Sequence, residues 1–236
     1  YQDAEGNVEH VWATSWGMST RIMGALIMVH SDDDGLVLPP RIAGTKAVIV
    51  PIWKNDEEMA QVVEAAEKIA AELRPIVGPV HVDKRDNMRP GWKYGEWERK
   101  GVPLRMELGP RDLADEKVMM VSRHDRNKQP IAFTDLASVV PAELERIQQD
   151  LFDRALKRRH EATVDIDSWD EFTALFQGDG AFAHCHWCGE GDCEEAIQQK
   201  TKVTIRNIPF ERDESKGECV HCGKPSIGRV LFAQAY

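Results

Sequence analysis

The sequence predicts an α/β protein with a mostly parallel or mixed sheet in its middle and an α+β, cysteine-containing segment at its end. From residue 46 onward, short apolar runs of strand length alternate with stretches of helical periodicity, which is the pattern of a layered α/β domain. Near the end of the chain, two cysteine pairs flank an insert of twenty-five residues, and the second pair forms a Cys-x-x-Cys-Gly turn. That turn is typical of a thiolate metal site.

Composition limits the classes of protein that are possible. The 236 residues are 42% hydrophobic and carry a formal net charge of −10. This content suits one or two globular domains, and no apolar run approaches the roughly 20 residues that cross a bilayer. With no signal peptide and an odd number of cysteines, we expect a soluble, cytoplasmic protein with no membrane partner.

Residues 1–43 are interpreted as the end of a larger domain. A polar turn at residues 5–7 leads into a predicted strand at residues 11–15. Residues 19–29 have helical periodicity, with Ile22, Leu26 and Val29 on one face. Two successive prolines, Pro39 and Pro40, end this element because proline cannot continue a helix.

Residues 44–140 predict a compact α/β domain of about a hundred residues. The apolar run at 47–52 indicates a buried strand, and Asp56 is predicted to cap a helix that Pro75 and Gly78 end. Further strands are predicted at 80–82, 103–108, 117–122 and 130–133, with a helix at 92–100.

Residues 141–236 predict two helices before the cysteines. Proline is favoured at the first helical position, so Pro141 is predicted to begin a long helix that ends near residue 163. Ser168, with Glu171 three residues later, predicts the capped start of a second helix. The basic cluster at 157–160 is expected to complement the helix dipole rather than to bind nucleic acid.

The cysteines predict a structural zinc site. Zinc in structural sites takes four tetrahedral ligands, and a reducing cytoplasm disfavours the alternative, a pair of disulfides. Spacing leaves two ligand sets open, because Cys188 can pair with Cys185 in a Cys-x-x-Cys or with Cys193 across a longer gap. Cys188-Gly189 repeats the Cys-Gly step of Cys222-Gly223, so Cys188 resembles the last cysteine of a metal-binding turn. This weakly favours Cys193 over Cys185 as the other ligand of the pair.

A basic island lies in the middle of this acidic chain. Residues 84–111 carry eight basic and four acidic side chains. A polyanion is expected to bind at such a place.

Three sets of motifs, in order along nearly the whole chain, resemble the prolyl-tRNA synthetases. Residues 14–21 (TSWGMSTR), 24–28 and 35–41 resemble the third class II signature and its following helix. Residues 89–94 and 100–112 resemble the anticodon-binding domain. Residues 187–189, Cys193, 219–223 and 229–236 resemble the zinc-containing C-terminal domain of the archaeal and eukaryotic-like type.

The resemblance implies three domains: the end of the catalytic domain at 1–43, an anticodon-binding domain at 44–140 and a zinc domain at 141–236. It implies that Arg21 contacts ATP, and that Ser15, Trp16 and Gly17 line the proline pocket. It favours Cys188, Cys193, Cys219 and Cys222 as the zinc ligands. It also implies that Tyr236 folds back toward the active site, while simple packing of a terminal strand is an equal alternative.

The implied activity is that of a proline–tRNA ligase, with proline, ATP, magnesium and tRNA-Pro as substrates and cofactors and a homodimer as the full-length state. Because the first two class II signatures would lie upstream of residue 1, we expect this chain to be inactive by itself.

Proline anticodons share two guanines, and loop bases are read by cationic groups, carboxylates and aromatic stacking. The residues of the basic island that supply these groups are Arg89, Trp92, Lys93, Glu96, Arg105 and Glu107.

Two alternatives remain at this stage. One is a stand-alone anticodon-binding and zinc module that acts as an accessory RNA binder, and the other is a zinc-stabilised interaction protein with no RNA role. Residues 14–21 count against both, because a free-standing binder has no reason to retain an ATP-site strand.

Overall fold

The computed structural model describes residues 1–11, 13–178, 180–211 and 215–234. The chain divides into two compact units, Tyr1–Phe152 and Asp153–Tyr236. In the first unit the elements are α1 (Arg21–His30), β1 (Ala47–Pro51), α2 (Asp56–Val77), β2 (Val80–Val82), α3 (Pro90–Arg99), β3 (Leu104–Leu108), α4 (Pro110–Ala114), β4 (Lys117–Ser122) and β5 (Lys128–Ala132), then a 3₁₀ turn (Phe133–Asp135) and α5 (Leu136–Glu161), which continues into the second unit. The second unit then has β6 (Thr163–Ile166), α6 (Trp169–Leu175), β7 (Phe182–His186), α7 (Gly191–Thr201), β8 (Val203–Asn207) and β9 (Arg229–Gln234).

The first unit has a five-stranded sheet in the order β2-β1-β3-β4-β5. β1 pairs in parallel with β2 and β3, whereas β3 with β4 and β4 with β5 are antiparallel. Helix α2 joins β1 to its parallel neighbour β2, and α3 then joins β2 to β3, the other parallel neighbour of β1, because parallel strands need a crossover connection. The predicted α/β class with a mixed sheet is therefore confirmed.

Helices cover both faces of this sheet. Ala47 and Ile49 of β1 pack on one face in a core that includes side chains of α2 and α5. Val48 and Val50 pack on the other face, against Tyr94 and Trp97 of α3. All five residues of β1 are buried, which explains why its sequence is continuously apolar rather than alternating.

The segment before the sheet differs in part from expectation. The predicted helix is present as α1, but most of its apolar side chains, including Ile22 and Met28, are exposed and none is buried. The predicted strand at residues 11–15 is wrong. A strand needs a neighbour to complete its hydrogen bonds, and residues 11 and 13–15 have no strand partner within the described part of the chain.

Three helix ends also differ from prediction. Asn55, not Asp56, caps α2, because its side chain accepts a hydrogen bond of 2.9 Å from the Glu58 amide. α2 passes through Pro75 and ends at Gly78, where φ is +91°. α5 begins at Leu136, five residues before Pro141, after the 3₁₀ turn. No helix in the described residues is long and apolar enough to span a membrane.

The second unit has a four-stranded sheet in the order β6-β7-β9-β8, with β6 and β7 parallel and the other pairs antiparallel. Phe172 of α6, Ile197 of α7 and Phe232 of β9 are completely buried in its core. The predicted cap of α6 is confirmed, because Ser168 Oγ accepts a hydrogen bond of 3.2 Å from the Glu171 amide.

Candidate nucleic-acid interface and metal centre

Helix α3 and its two cap residues carry half of the basic side chains of the basic island. Arg89 is at its N-cap with an extended backbone, and Pro90 occupies the first turn, where its missing N–H is not needed. Trp92 is 70% exposed, and Arg89 is exposed beside it. This end of α3 therefore presents an aromatic ring and a guanidinium to solvent.

Lys93 points the opposite way, into the protein. Its side chain is 2% exposed, and Nζ donates to the backbone oxygen of Asp83 at 3.1 Å. The ammonium also lies 4.9 Å from the ring centroid of Trp53. Burial lowers the pKa of Lys93, and the Asp83 carboxylate acts against that shift.

Asp83 anchors three side chains around the end of β2. Its buried carboxylate accepts hydrogen bonds from Arg85 at 2.8 and 2.6 Å and from Trp97 Nε1 at 2.8 Å. Its Oδ1 is also 4.0 Å from Lys93 Nζ. Burial would raise the pKa of Asp83, but the hydrogen bonds from Arg85 and Trp97 outweigh it and hold the pKa well below its ordinary value. The carboxylate therefore stays ionised at neutral pH.

Arg105 of β3 is held from three sides. Its guanidinium donates to Glu98 and to Glu107, and its central carbon lies 4.2 Å from the ring centroid of Tyr94. Glu107 is itself buried and also accepts from Lys128 at 2.7 Å. A guanidinium fixed in this way is oriented before any ligand arrives, which lowers the entropic cost of binding.

Two of the clefts that border these groups include the fixed cations Lys93 and Arg105 in their lining. One of about 320 Å³ lies beside the start of α3 and is lined by residues that include Trp53, Asn87, Arg89 and Lys93. Another of about 210 Å³ has Val48 among its lining residues, with Arg105, Arg123, Arg126 and Lys128 around it. Both clefts combine apolar surface with cationic side chains, the chemistry that binds a nucleobase and its phosphate.

Of the six residues expected to read an anticodon, Arg89 and Trp92 are exposed. Glu96 is occupied by Arg85 at 2.7 Å and Lys100 at 2.7 Å. Lys93, Arg105 and Glu107 are fixed by protein partners.

Sequence reasoning missed the residues that hold these groups in place: Trp53, Asp83, Tyr94, Trp97 and Glu98. An acid directly after the predicted strand Val-His-Val could have indicated Asp83; the others carry no sequence signal of their role.

The upstream candidates Ser15, Trp16, Gly17 and Arg21 are all exposed, and the Trp16 side chain is 94% exposed. None of the four lines either of the two clefts beside α3 and β3. Tyr236, the remaining candidate, lies outside the described residues.

Four cysteines of the second unit converge. The sulfur atoms of Cys188, Cys193, Cys219 and Cys222 all lie within 4.8 Å of one another, and those of Cys193 and Cys219 are 3.7 Å apart. Zinc–sulfur bonds of about 2.3 Å in a tetrahedron place sulfurs about 3.8 Å apart. All five cysteines are free, and Cys185 lies outside this group among the described residues. The four side chains therefore fit a tetrahedral thiolate site.

Local backbone builds the second half of the cluster. The Gly223 amide donates to the Cys219 carbonyl at 2.9 Å, and Gly223 has φ +70°, which favours glycine. Burial would raise the pKa of Cys219, but backbone N–H groups of Cys222 and His221 outweigh it and lower the pKa to about 7. By contrast, burial in the core raises the pKa of Cys185 to about 12. Burial also raises the pKa of the Cys188 and Cys193 thiols, so the sulfur spacing, and not the pKa, separates the four clustered cysteines from Cys185.

His221 borders the cluster. Its Nδ1 is 3.4 Å from Cys193 Sγ, and its Nε2 is 3.0 Å from Lys200 Nζ. The ring meets Trp169 edge-on, with centroids 4.8 Å apart. The other nearby histidines have different partners, since His184 pairs with Asp165 at 2.7 Å and buried His186 with Ser226 at 2.8 Å.

Comparison with known proteins agrees with this geometry. Residues 46–143 match the family model "Anticodon binding domain", and residues 169–236 match "Prolyl-tRNA synthetase, C-terminal". The chain is 47% identical over 232 residues to a proline–tRNA ligase of Christiangramia forsetii, covering 98% of this chain and 47% of the relative. It is 47% identical over 236 residues to the proline–tRNA ligase of Flavobacterium johnsoniae, covering 100% of this chain and 48% of the relative.

A solved structure is similar as well. A prolyl-tRNA synthetase from Cryptosporidium parvum, solved with L-proline and AMP, superposes with a TM-score of 0.88 at 33% identity, covering all of this chain and 49% of that one.

Fold and site together define an anticodon-binding α/β domain followed by a cysteine-bearing C-terminal domain of the synthetase type. The chain belongs to the prolyl-tRNA synthetase family and matches the C-terminal portion of its members. It spans about half the length of the curated relatives it matches. The resemblance seen in the sequence is therefore confirmed.

Proposed function

We propose that this chain belongs to a proline–tRNA ligase, an enzyme that activates proline with ATP and transfers it to tRNA-Pro. The observation that carries the proposal is the basic surface of α3 and β3, which lies inside the region similar to anticodon-binding domains. A fixed guanidinium, exposed aromatic surface and flanking carboxylates supply the three kinds of contact that read unstacked bases.

The chain is divided by role. Residues 1–43 contribute the end of the catalytic domain, 44–140 bind the anticodon and 141–236 form the zinc domain. The family matches at residues 46–143 and 169–236 support the second and third assignments. Trp16 and the apolar face of α1 are exposed, which suits a segment completed by protein that the relatives have and this chain does not span.

In anticodon recognition, Arg89 and Arg105 donate to the acceptor edges of the two guanines, and Trp92 stacks on a base. Lys93 and Glu107 hold neighbouring protein groups in place rather than contact a base, because both are buried against protein partners. Glu96 holds Arg85 and Lys100 beside this surface. Arg105 keeps its direction because Glu98, Glu107 and Tyr94 surround it.

In the catalytic domain, Arg21 contacts the ATP phosphates, where a guanidinium stabilises charge that develops during adenylate formation. Ser15, Trp16 and Gly17 line the proline pocket. Magnesium accompanies ATP, and the full-length enzyme is a cytoplasmic homodimer.

Zinc is held by Cys188, Cys193, Cys219 and Cys222. The sulfur spacing and the free state of all four side chains support this assignment. With four protein ligands and no open position, the metal is structural and stabilises the fold of the second unit.

An accessory RNA-binding module is the competing function, and the test separates the two. The full-length protein is assayed for proline-dependent ATP–pyrophosphate exchange and for aminoacylation of tRNA-Pro, and the 236-residue chain is assayed for tRNA-Pro binding. A ligase shows both activities, and the shorter chain binds tRNA without exchange. A full-length protein that binds tRNA-Pro but neither activates proline nor charges tRNA is an accessory binder.

A further inference from the structure

The candidate zinc centre has a polar neighbour that is not one of its four cysteines. His221 lies between Cys219 and Cys222 in sequence, and its Nδ1 is 3.4 Å from Cys193 Sγ, within reach of an N–H···S hydrogen bond. Cys193 is contributed by α7, whereas His221 belongs to the turn that carries the other cysteine pair. The contact therefore joins the two halves of the thiolate cluster.

Lys200 determines which ring nitrogen of His221 carries the proton. Its Nζ lies 3.0 Å from His221 Nε2, and a lysine ammonium is a donor with no acceptor capacity. Nε2 must therefore accept, which places the imidazole hydrogen on Nδ1, the nitrogen that faces Cys193. The ring is thus held as a donor toward sulfur.

The surrounding residues fix this arrangement. Lys200 and Cys193 are seven residues apart on α7, which is two helical turns and therefore the same face of the helix. Trp169 contacts the His221 ring edge-on at 4.8 Å, and the Lys200 ammonium lies 5.7 Å from the Trp169 ring centroid. The lysine, the imidazole and the sulfur therefore form a connected chain against one aromatic side chain.

We propose that His221 is a positioning residue of the zinc centre, which donates Nδ1–H to the Cys193 thiolate in a tautomer set by Lys200. The inference rests on the zinc assignment proposed above. Four thiolates and one zinc ion carry a net charge of −2, and donors to sulfur stabilise that charge in a partly buried site. Loss of such a supporting contact in other metal sites costs 10- to 100-fold in affinity.

The test uses the 236-residue chain and compares zinc content with the rate of zinc release to a chromogenic chelator. His221→Leu removes the donor, and we expect release at least about 10-fold faster. His221→Asn keeps an N–H donor near the position of Nδ1 and should release zinc close to the wild-type rate, whereas His221→Gln moves the donor outward and should resemble the leucine variant. Lys200→Met frees the tautomer and should have an intermediate rate.

Two variants serve as matched controls. His160→Leu removes an exposed histidine of α5, and Lys224→Met removes an exposed lysine from the turn after Cys222; neither should change the release rate. The cobalt-substituted chain provides a spectroscopic readout, because loss of an N–H donor to one thiolate should shift the sulfur-to-cobalt charge-transfer band in the leucine variant and not in the asparagine variant.

The outcomes separate the two proposals. A wild-type chain that retains no zinc overturns the metal site and this inference with it. If the chain binds zinc but the His221→Leu and His221→Asn variants both release it at the wild-type rate, or both release it faster and at the same rate as each other, the role of His221 is overturned. The metal site is then left intact. If the leucine variant does not fold, the asparagine–glutamine pair makes the same comparison, and equal rates for those two overturn the inference.

Discussion

Arg123 and Asp32, ninety-one residues apart, form a bidentate ion pair, with guanidinium nitrogens 2.8 and 2.5 Å from the two carboxylate oxygens. The Arg123 side chain is 4% exposed, and its Nε also donates to the Glu98 carbonyl at 3.1 Å. One arginine at the end of β4 therefore joins the end of α3 to the segment that follows α1. Any change in the packing of that segment should therefore alter the position of the end of α3, the helix proposed to bind the anticodon.

Two glycines make this close packing possible, Gly35 against the backbone of Arg99 and Gly101 against Leu36. A Cβ on Gly101 would lie 2.7 Å from Leu36 Cβ, and Gly101 has φ +70°. Gly101→Ala should therefore destabilise the chain by about 2 kcal/mol or more, through steric overlap and left-handed backbone strain. The measurement is the free energy of unfolding in urea.

The matched control is Gly95→Ala, in the middle of α3, where an added Cβ meets nothing within 4 Å. This change should stabilise the helix by about 0.5–1 kcal/mol. Equal effects of the two substitutions would show that the contact between Gly101 and Leu36 is not tight in solution.

Asp83 should govern part of the acid stability. Its pKa lies below the unfolded value of about 3.9 because Arg85 and Trp97 hydrogen-bond the charged form against the opposing effect of burial. The stability that it contributes is therefore fully present above about pH 4 and is lost as the pH falls toward the folded pKa. Asp83→Asn should lower stability at pH 7 by about 3 kcal/mol and flatten the loss of stability below pH 4.

Urea titrations at several pH values check this prediction. Asp115→Asn, which removes an exposed partner of Lys117, should change neither the free energy of unfolding at pH 7 nor its dependence on pH. An Asp83→Asn chain whose stability falls with acid as steeply as that of wild type would contradict the assigned role of the carboxylate.

Replacing Arg89 or Arg105 by alanine should weaken binding of tRNA-Pro by about 1–3 kcal/mol for each lost bidentate contact with a base. Lys157→Ala and Arg158→Ala, at the end of α5, should have little effect. Binding is measured at one fixed salt concentration, since phosphate contacts depend on salt. Similar losses at both places would indicate nonspecific charge attraction.

Cys219→Ser should abolish zinc retention, whereas Cys185→Ala should retain one zinc per chain. The reason is that Cys219 lies in the sulfur cluster, while Cys185 packs inside the second core. Metal analysis after dialysis gives the stoichiometry, and chelation of the wild-type zinc should loosen the second unit. If replacement of Cys185 abolishes zinc retention while replacement of Cys193 does not, the ligand assignment is reversed.

Features that depend on neighbours along the chain could be predicted from the sequence alone. Periodicity and short apolar runs located α2 and the five strands of the first unit, because helices and buried strands repeat their apolar positions over a few residues. The four strands of the second unit were not predicted. Ser168 and Glu171 located the start of α6, because capping is a local hydrogen bond. Family motifs, each contained in a short run of residues, identified the class of protein.

Tertiary structure decided what depends on distant contacts. Spacing could not show which of Cys185 and Cys193 lies with the other cysteines, because β7 turns Cys185 into the core while α7 brings the Cys193 sulfur within 4.8 Å of those of Cys188, Cys219 and Cys222. Composition could not show that Lys93 of α3 points inward, because its direction is set by the buried Asp83, which directly follows β2. Burial and ion pairing act through space. The sequence therefore shows only a cluster of basic residues, whereas the fold buries several of them and pairs them with carboxylates.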